Sequence, residues 1–166
     1  MAVAERTVLL DRSLDIEGAP LGDLWVSARS RAEQLAARDG IDDVVVFADA
    51  AHRVPLWALQ DICWSFRYGT NLSVGLDLAL AFTRPGGAIT VVIYSPPDAC
   101  LEGDGVLLLD FADTTGAVAA ATRRSAERCV DKQVRVDVVQ LGTRVGALPE
   151  VVCAMTGGEF VLLADH

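Results

Sequence analysis

Lysine is almost missing from this chain. Of its 14 basic residues only Lys132 is a lysine, against 23 acidic residues and a net charge of −9. A surface of that sign repels a phosphate backbone, so nucleic acid is not an expected partner. Chemistries that need a catalytic lysine have a single candidate. Histidine is limited to His52, expected on a solvated hairpin turn, and His166 in the terminal tail, and neither has a metal-binding neighbour in sequence. The cysteines Cys63, Cys100, Cys129 and Cys153 lie far apart, with no Cys-x-x-Cys pair and no histidine near them, which suits the reduced, mostly buried thiols of a cytosolic protein. No apolar run approaches the roughly 18 residues of a membrane span. The start MAVAERTVLL lacks the basic, then apolar, pattern of a secretion signal, so the expected location is cytoplasmic, with no membrane partner. Neither GxxxxGK[ST] nor GxGxxG occurs, which leaves a nucleotide site unsupported. Internal repeats and low-complexity segments are absent as well.

What the chain does have is apolar content, 52% of 166 residues, enough for one sizeable core and a single domain over residues 1–166. The apolar run Thr7-Val8-Leu9-Leu10 predicts a first strand. From Leu21 the apolar positions Leu24, Trp25, Ala28, Ala32, Leu35 and Ala36 recur with helical period, and Gly40 offers a stop. Residues 43–48, DVVVFA, are apolar on both faces and predict an interior parallel strand at the sheet centre. Too few residues separate it from residues 53–56 for a parallel crossover, so that piece, with Pro55, predicts a short antiparallel edge strand. Residues 57–66 predict a short irregular helix with Leu59, Ile62 and Trp64 inward. Core packing is the expected use of Trp57, Trp64 and Phe66, with an exposed recognition patch as the alternative.

Residues 72–82 predict a helix covered on several sides, with Thr70 as N-cap and Gly75 allowing close approach to the sheet. A break at residues 84–87 precedes a second buried strand at 88–94 and the stiff loop Ser95-Pro96-Pro97-Asp98. Residues 106–109 suit a minor hairpin or extended excursion. Residues 114–130 predict a helix with Val118, Ala119, Thr122, Ala126, Cys129 and Val130 inward, residues 134–141 a strand, 148–155 a helix ended by Gly157-Gly158, and 160–163 the last strand. Strands and helices alternate almost throughout. The expected fold class is therefore α/β: a Rossmann-like doubly wound sheet, mostly parallel, with one short antiparallel edge strand and helices on both faces.

The first strand ends in Asp11-Arg12-Ser13-Leu14-Asp15, which places three oxygen-bearing side chains where open α/β sheets bind ligands. An aspartate there is also the nucleophile position of haloacid-dehalogenase phosphatases, but that class needs a second aspartate two residues on, where this chain has Ser13, and a downstream lysine closing the site. Lys132 instead precedes a strand. A phosphatase-like or other α/β hydrolase using Asp11 is thus a minor alternative. Another is a scaffold or oligomerisation role through the strand near residues 53–56 or the segment 106–109.

Taken together, VLLDRSLD, the hairpin VVVFADAAHRV, YGTNLSVGLDLAL, VRVDVVQLG and the ending MTGGEFVLLAD resemble the von Willebrand factor A (VWA) domain over nearly the whole chain. The sequence looks most like the bacterial VWA proteins that accompany MoxR-type AAA+ ATPases, whose loop after the fourth strand is similar to PDACLEGDG. The resemblance implies a non-enzymatic protein-interaction module. It further implies a metal-ion-dependent adhesion site, built on Asp-x-Ser-x-Ser, a threonine from a second loop and an aspartate from a third, at which the cation is completed by an acidic residue of the partner. Asp11, Ser13 and Thr70 match. Asp15 stands in place of the second serine, and Tyr94-Ser95-Pro96 runs where the family has aspartate-glycine.

The implied metal set is Asp11, Ser13, Asp15 and Thr70, with Asp98 a weaker substitute, for Mg²⁺ or Mn²⁺. The implied partner-binding set is Arg12, Asn71, Tyr94 and Asp98. Hydroxyls with one or two carboxylates suffice for Mg²⁺ at about 2.1 Å. Two inward carboxylates with no cation would repel, and a cation would remove that cost. A metal-free relic, its side chains satisfying loop amides, is the other reading of Asp11 and Ser13. Only residues 1–6 precede the first strand, so an ATPase partner is expected on another chain.

Overall fold

The computed structural model describes residues 3–12, 22–61, 71–94, 101–102, 106–107, 117–142 and 147–163. In chain order the elements are β1 (Ala4–Asp11), α1 (Gly22–Asp39), β2 (Asp43–Phe47), β3 (Ala51–Pro55), a 3₁₀ turn (Leu56–Asp61), α2 (Leu72–Ala81), β4 (Thr83–Ile93), β5 (Leu101–Glu102), β6 (Val106–Leu107), α3 (Ala117–Asp131), β7 (Arg135–Leu141), α4 (Ala147–Thr156) and β8 (Phe160–Leu163). Six strands form one sheet in the order β3-β2-β1-β4-β7-β8, all neighbours parallel except β2 with β3. β5 and β6 pair antiparallel, apart from that sheet. The fold is the expected Rossmann-like α/β sheet with one antiparallel edge. No helix among the described residues is long and apolar enough to cross a membrane.

The period-2 alternation of the strands sorts their side chains into two cores. On one face Val8, Leu10, Val44, Val46, Val92 and Leu141 meet the helical stripe Trp25, Ala28, Ala32 and Ala36 of α1, together with Leu59 of the 3₁₀ turn. On the other face Leu9, Val45, Phe47, Ile89, Val91, Ile93, Val136 and Val138 meet α2, α3 and α4. Gly75 lets α2 lie against the sheet, because a Cβ there would stand 3.0 Å from Phe47 Cγ and 3.1 Å from Leu9 Cδ1.

Several expectations are corrected. β2 lies one place in from an edge, and the centre belongs to β1 and β4. Its apolar character on both faces reports helix cover from both sides, not rank in the sheet. His52 is exposed, but within β3 instead of on a turn. Residues 84–87 do not precede β4 but form an irregularity within it, between the pairings Ala4↔Thr83 and Arg6↔Ala88. Gly87 makes this possible, since a Cβ would stand 2.4 Å from the Glu5 carbonyl oxygen. In α3, Val130 is 45% exposed, and the inward position falls to Ser125, whose hydroxyl meets that of Ser73 at 2.9 Å.

Cys129 and Cys153 are free, buried thiols. Burial, with Asp77 adding, pushes Cys129 up to about 11, and burial, with Asp137 adding, pushes Cys153 up to about 12. Both folded values lie above those of the unfolded chain. Their contribution to stability is therefore whole below the unfolded value, roughly 8.5. Above that value the unfolded chain releases these protons first, and the contribution is lost as pH rises toward the folded values. Native protein should leave both thiols unmodified by a thiol-disulfide reagent at pH 8, with stability falling above about pH 9. Rapid modification of either cysteine in folded protein would contradict this burial.

Candidate binding site at the carboxyl ends of the strands

The chain leaves β1 for β2 on one side, while β4 lies on the other, so the end of the β1–β4 pair is the topological switch point where such sheets open a ligand crevice. Asp11, the last residue of β1, sits there with no solvent exposure. Its Oδ2 accepts the backbone N–H of Tyr94 at 3.1 Å, which ties the end of β1 to the end of β4. A carboxylate sealed from water at a strand end needs compensating charge or donors. Carboxylate oxygens are the donors that a hard divalent cation takes.

The neighbours are set by backbone contacts. Arg12 donates its N–H to the Phe47 carbonyl at 2.9 Å, which holds the chain beside β2 beyond the strand end. Its side-chain Nε is buried without a hydrogen-bond acceptor. Asn71 donates its N–H to the Ala48 carbonyl at 2.8 Å, which fixes the start of α2 against the end of β2. Tyr94 is 3% exposed. Burial, then the Asp11 charge, raises its phenol above the ordinary range, against a lowering by Arg12. The ring is packed with the α1 side of the core, so Tyr94 serves through its backbone and is not the surface contact expected of it.

The N-cap of α2 is also corrected. It is Asn71, whose Oδ1 accepts the Val74 N–H at 3.3 Å, and not Thr70. Asn71 directly precedes the first helical residue and carries one of the strongest capping side chains. Asn71→Ala should cost about 1 kcal/mol of stability in thermal or denaturant unfolding. Thr70→Ala should cost nothing through the cap. The expected ligands Ser13, Asp15, Thr70 and Asp98 lie outside the described residues. Among the described residues no group of three or more His, Cys, Asp or Glu is arranged to hold a metal ion.

One residue at this end was passed over in the sequence. The ladder sets Phe47 beside Asp11 and Ile93 beside Gln140, at the same end of the sheet. Gln140 is fully buried, and neither its Oε1 nor its Nε2 has a hydrogen-bond partner among the described residues. A polar residue in phase with Val136 and Val138 was the available signal. A larger groove, about 1090 Å³, lies among the described residues at the opposite end, around the starts of β1, β2, β4 and β7. Its arginines are matched within the fold: Arg6 with Asp39 at 3.3 Å, Arg53 with Asp43 at 2.9 Å, Arg84 with Glu5 at 3.0 Å and Arg135 with Asp137 at 3.1 Å. Size alone therefore does not make it the better candidate.

No family model matches the sequence, and no curated protein matches it. Among solved structures, proximal thread matrix protein 1 from the mussel byssus is similar with TM-score 0.64 at 13% identity, over 96% of this chain and 41% of that one. The human COPII-coat protein Sec24c is similar with TM-score 0.56 at 11% identity, over 99% of this chain and 30% of that one. The chain thus spans less than half the length of either. At such identities the likeness establishes the fold.

Proposed function

We propose that the protein is a non-enzymatic interaction module of VWA type, binding another protein through the loops at the carboxyl ends of the strands. The observation that carries this reading is Asp11, a fully buried carboxylate at the switch point, fastened to β4 through the Tyr94 amide. In this reading Asp11, Ser13, Asp15 and Thr70 would hold Mg²⁺ or Mn²⁺. The cation would supply an open coordination position for a carboxylate of the partner. Arg12 and Asn71 flank that position and orient the partner. A MoxR-type AAA+ ATPase on another chain is the partner class that the VWA resemblance implies. The fold neighbours are named as a thread matrix protein and a coat protein, which accords with an assembly role. The position of Lys132 also supports a non-enzymatic reading. Its backbone carbonyl accepts from Gly86 ahead of β7, at the amino end of the sheet, while Asp11 is at the carboxyl end.

Photo-cross-linking in the native cell tests the reading. Ala50 is exposed at the tip of the β2–β3 hairpin, beside the Asn71 anchor, and Lys132 is exposed at the far end. A photoreactive residue at position 50 should give a discrete protein adduct that Asp11→Asn abolishes, and one at position 132 should give none. Adducts from position 132 alone, or adducts indifferent to Asp11→Asn, would overturn the assignment.

A further inference from the structure

We propose that the groove beside Trp57 is a second protein-binding surface, which takes an arginine-bearing segment of a partner. It lies at the amino end of the sheet, away from Asp11, between α1, the start of β2 and the 3₁₀ turn, with a volume of about 670 Å³. Trp57 lines it and is 79% exposed, whereas Trp25 in the core is 4% exposed. A tryptophan carries some 150–250 Å² of mostly apolar surface and is seldom left in water without a use.

The turn that carries the ring is held in place. Leu56 donates its N–H to the Asp42 carbonyl at 2.7 Å, and Leu59 on the same turn is wholly buried. The aromatic face is thus presented on an anchored turn.

The charge around the ring specifies the occupant. Glu33, Asp42 and Asp43 line the groove, and no cation does among the described residues. Asp43 is neutralised by Arg53 at 2.9 Å. Glu33 is paired with Arg29, Nε to Oε1 at 3.6 Å, and that oxygen is sealed from solvent. Asp42 is exposed and has no ion-pair partner among the described residues. One exposed carboxylate, Asp42, therefore lacks a counter-ion among the described residues beside an exposed indole. A guanidinium answers both features, because its plane stacks on the indole while its edge donates hydrogen bonds to carboxylates. An anionic segment would be repelled, and a purely apolar one would strip water from Asp42 without replacing it.

The probe is an acetylated Gly-Arg-Gly-Arg-Gly amide peptide, titrated into isotopically labelled full chain at low salt while the Trp57 indole N–H signal is followed. The signal is assigned from its loss in Trp57→Phe. The peptide should shift it saturably, and the same peptide with citrulline for arginine should bind at least about ten-fold more weakly. Read from the backbone amide signals of Asp42 and Leu56, which every variant keeps, binding should be weakened about ten-fold by Trp57→Ala and by Asp42→Asn with an unchanged melting temperature, while Asp11→Asn leaves it unaltered. Equal binding of the citrulline peptide, indifference to Trp57→Ala, shifts confined to Asp11, Arg12 and Asn71, or no binding at millimolar peptide would each overturn the proposal. So would a shift of the Asp42 and Leu56 amide signals with protein concentration, without peptide, that Trp57→Ala removes, which would assign the groove to a second copy of the chain.

Discussion

Gly158→Ala should unfold or severely destabilise the protein. A Cβ at position 158 would stand 1.8 Å from the Val136 carbonyl oxygen and 2.5 Å from its carbon, both backbone atoms of β7. No rotamer relieves a backbone clash, so β7 and the chain entering β8 must separate. That separation threatens two bonds that lock the junction: Gly158 N–H to the Cys153 carbonyl at 2.9 Å, and Val138 N–H to the Glu159 carbonyl at 2.8 Å. The cost should exceed about 3 kcal/mol, at the top of the range for single substitutions. For a chain of this size that lowers the melting temperature by roughly 6–12 °C or more. Gly157→Ala is the control. Gly157 has φ +77° but nothing within 4 Å of its would-be Cβ, so only left-handed strain is charged there. That strain costs about 1–2 kcal/mol. Gly158→Ala melting no lower than Gly157→Ala would refute the close approach of β7.

Millimolar Mg²⁺ or Mn²⁺ should raise the melting temperature, EDTA should reverse the gain, and Asp11→Asn should erase it. A ligand at a hundred times its Kd that binds only the folded state stabilises by about 2.7 kcal/mol. In a domain of this size that amounts to roughly 5–11 °C. The asparagine variant is chosen because its amide oxygen can still accept the Tyr94 N–H, now made by Asp11 Oδ2 at 3.1 Å. The fold is thereby kept while the carboxylate is lost. Equal melting curves in EDTA and in excess cation would remove the cation from the account and leave protein recognition by the loop surface alone.

The fold was legible because its signals are local and repeated. The stripe from Trp25 to Ala36, the valines of β2 and the short link into Pro55 each fix an element by periodicity or reach. What stayed hidden depends on position in three dimensions. The apolar run of β2 does not encode its rank in the sheet, since flanking helices bury both faces of an off-centre strand equally well. The irregularity at residues 84–87 reads as a break, because Gly86 and Gly87 are turn formers in isolation, and only the Glu5 carbonyl explains why glycine is needed inside β4.

At the site, Asp11 was legible as a polar residue ending an apolar strand. Tyr94 was not, because an aromatic residue after a strand suits a core and a surface equally until its 3% exposure is known. Trp57 misled in the opposite direction. Hydrophobicity predicts burial for it, but Leu59 occupies the inward position of the short turn and leaves the indole outside.

The most direct test of the central claim, that a partner is bound at the carboxyl ends of the strands around Asp11, is an amide-resolved NMR titration of the full chain. The ligand is an acetylated Gly-Asp-Gly amide peptide, added in excess Mg²⁺. Saturable shifts are expected at Asp11, Arg12, Asn71 and Tyr94, with quiet signals at Gly86 and Lys132 at the opposite end and loss of the response in Asp11→Asn. Shifts centred on Gly86 and Lys132, or a response that Asp11→Asn leaves intact, would contradict the claim.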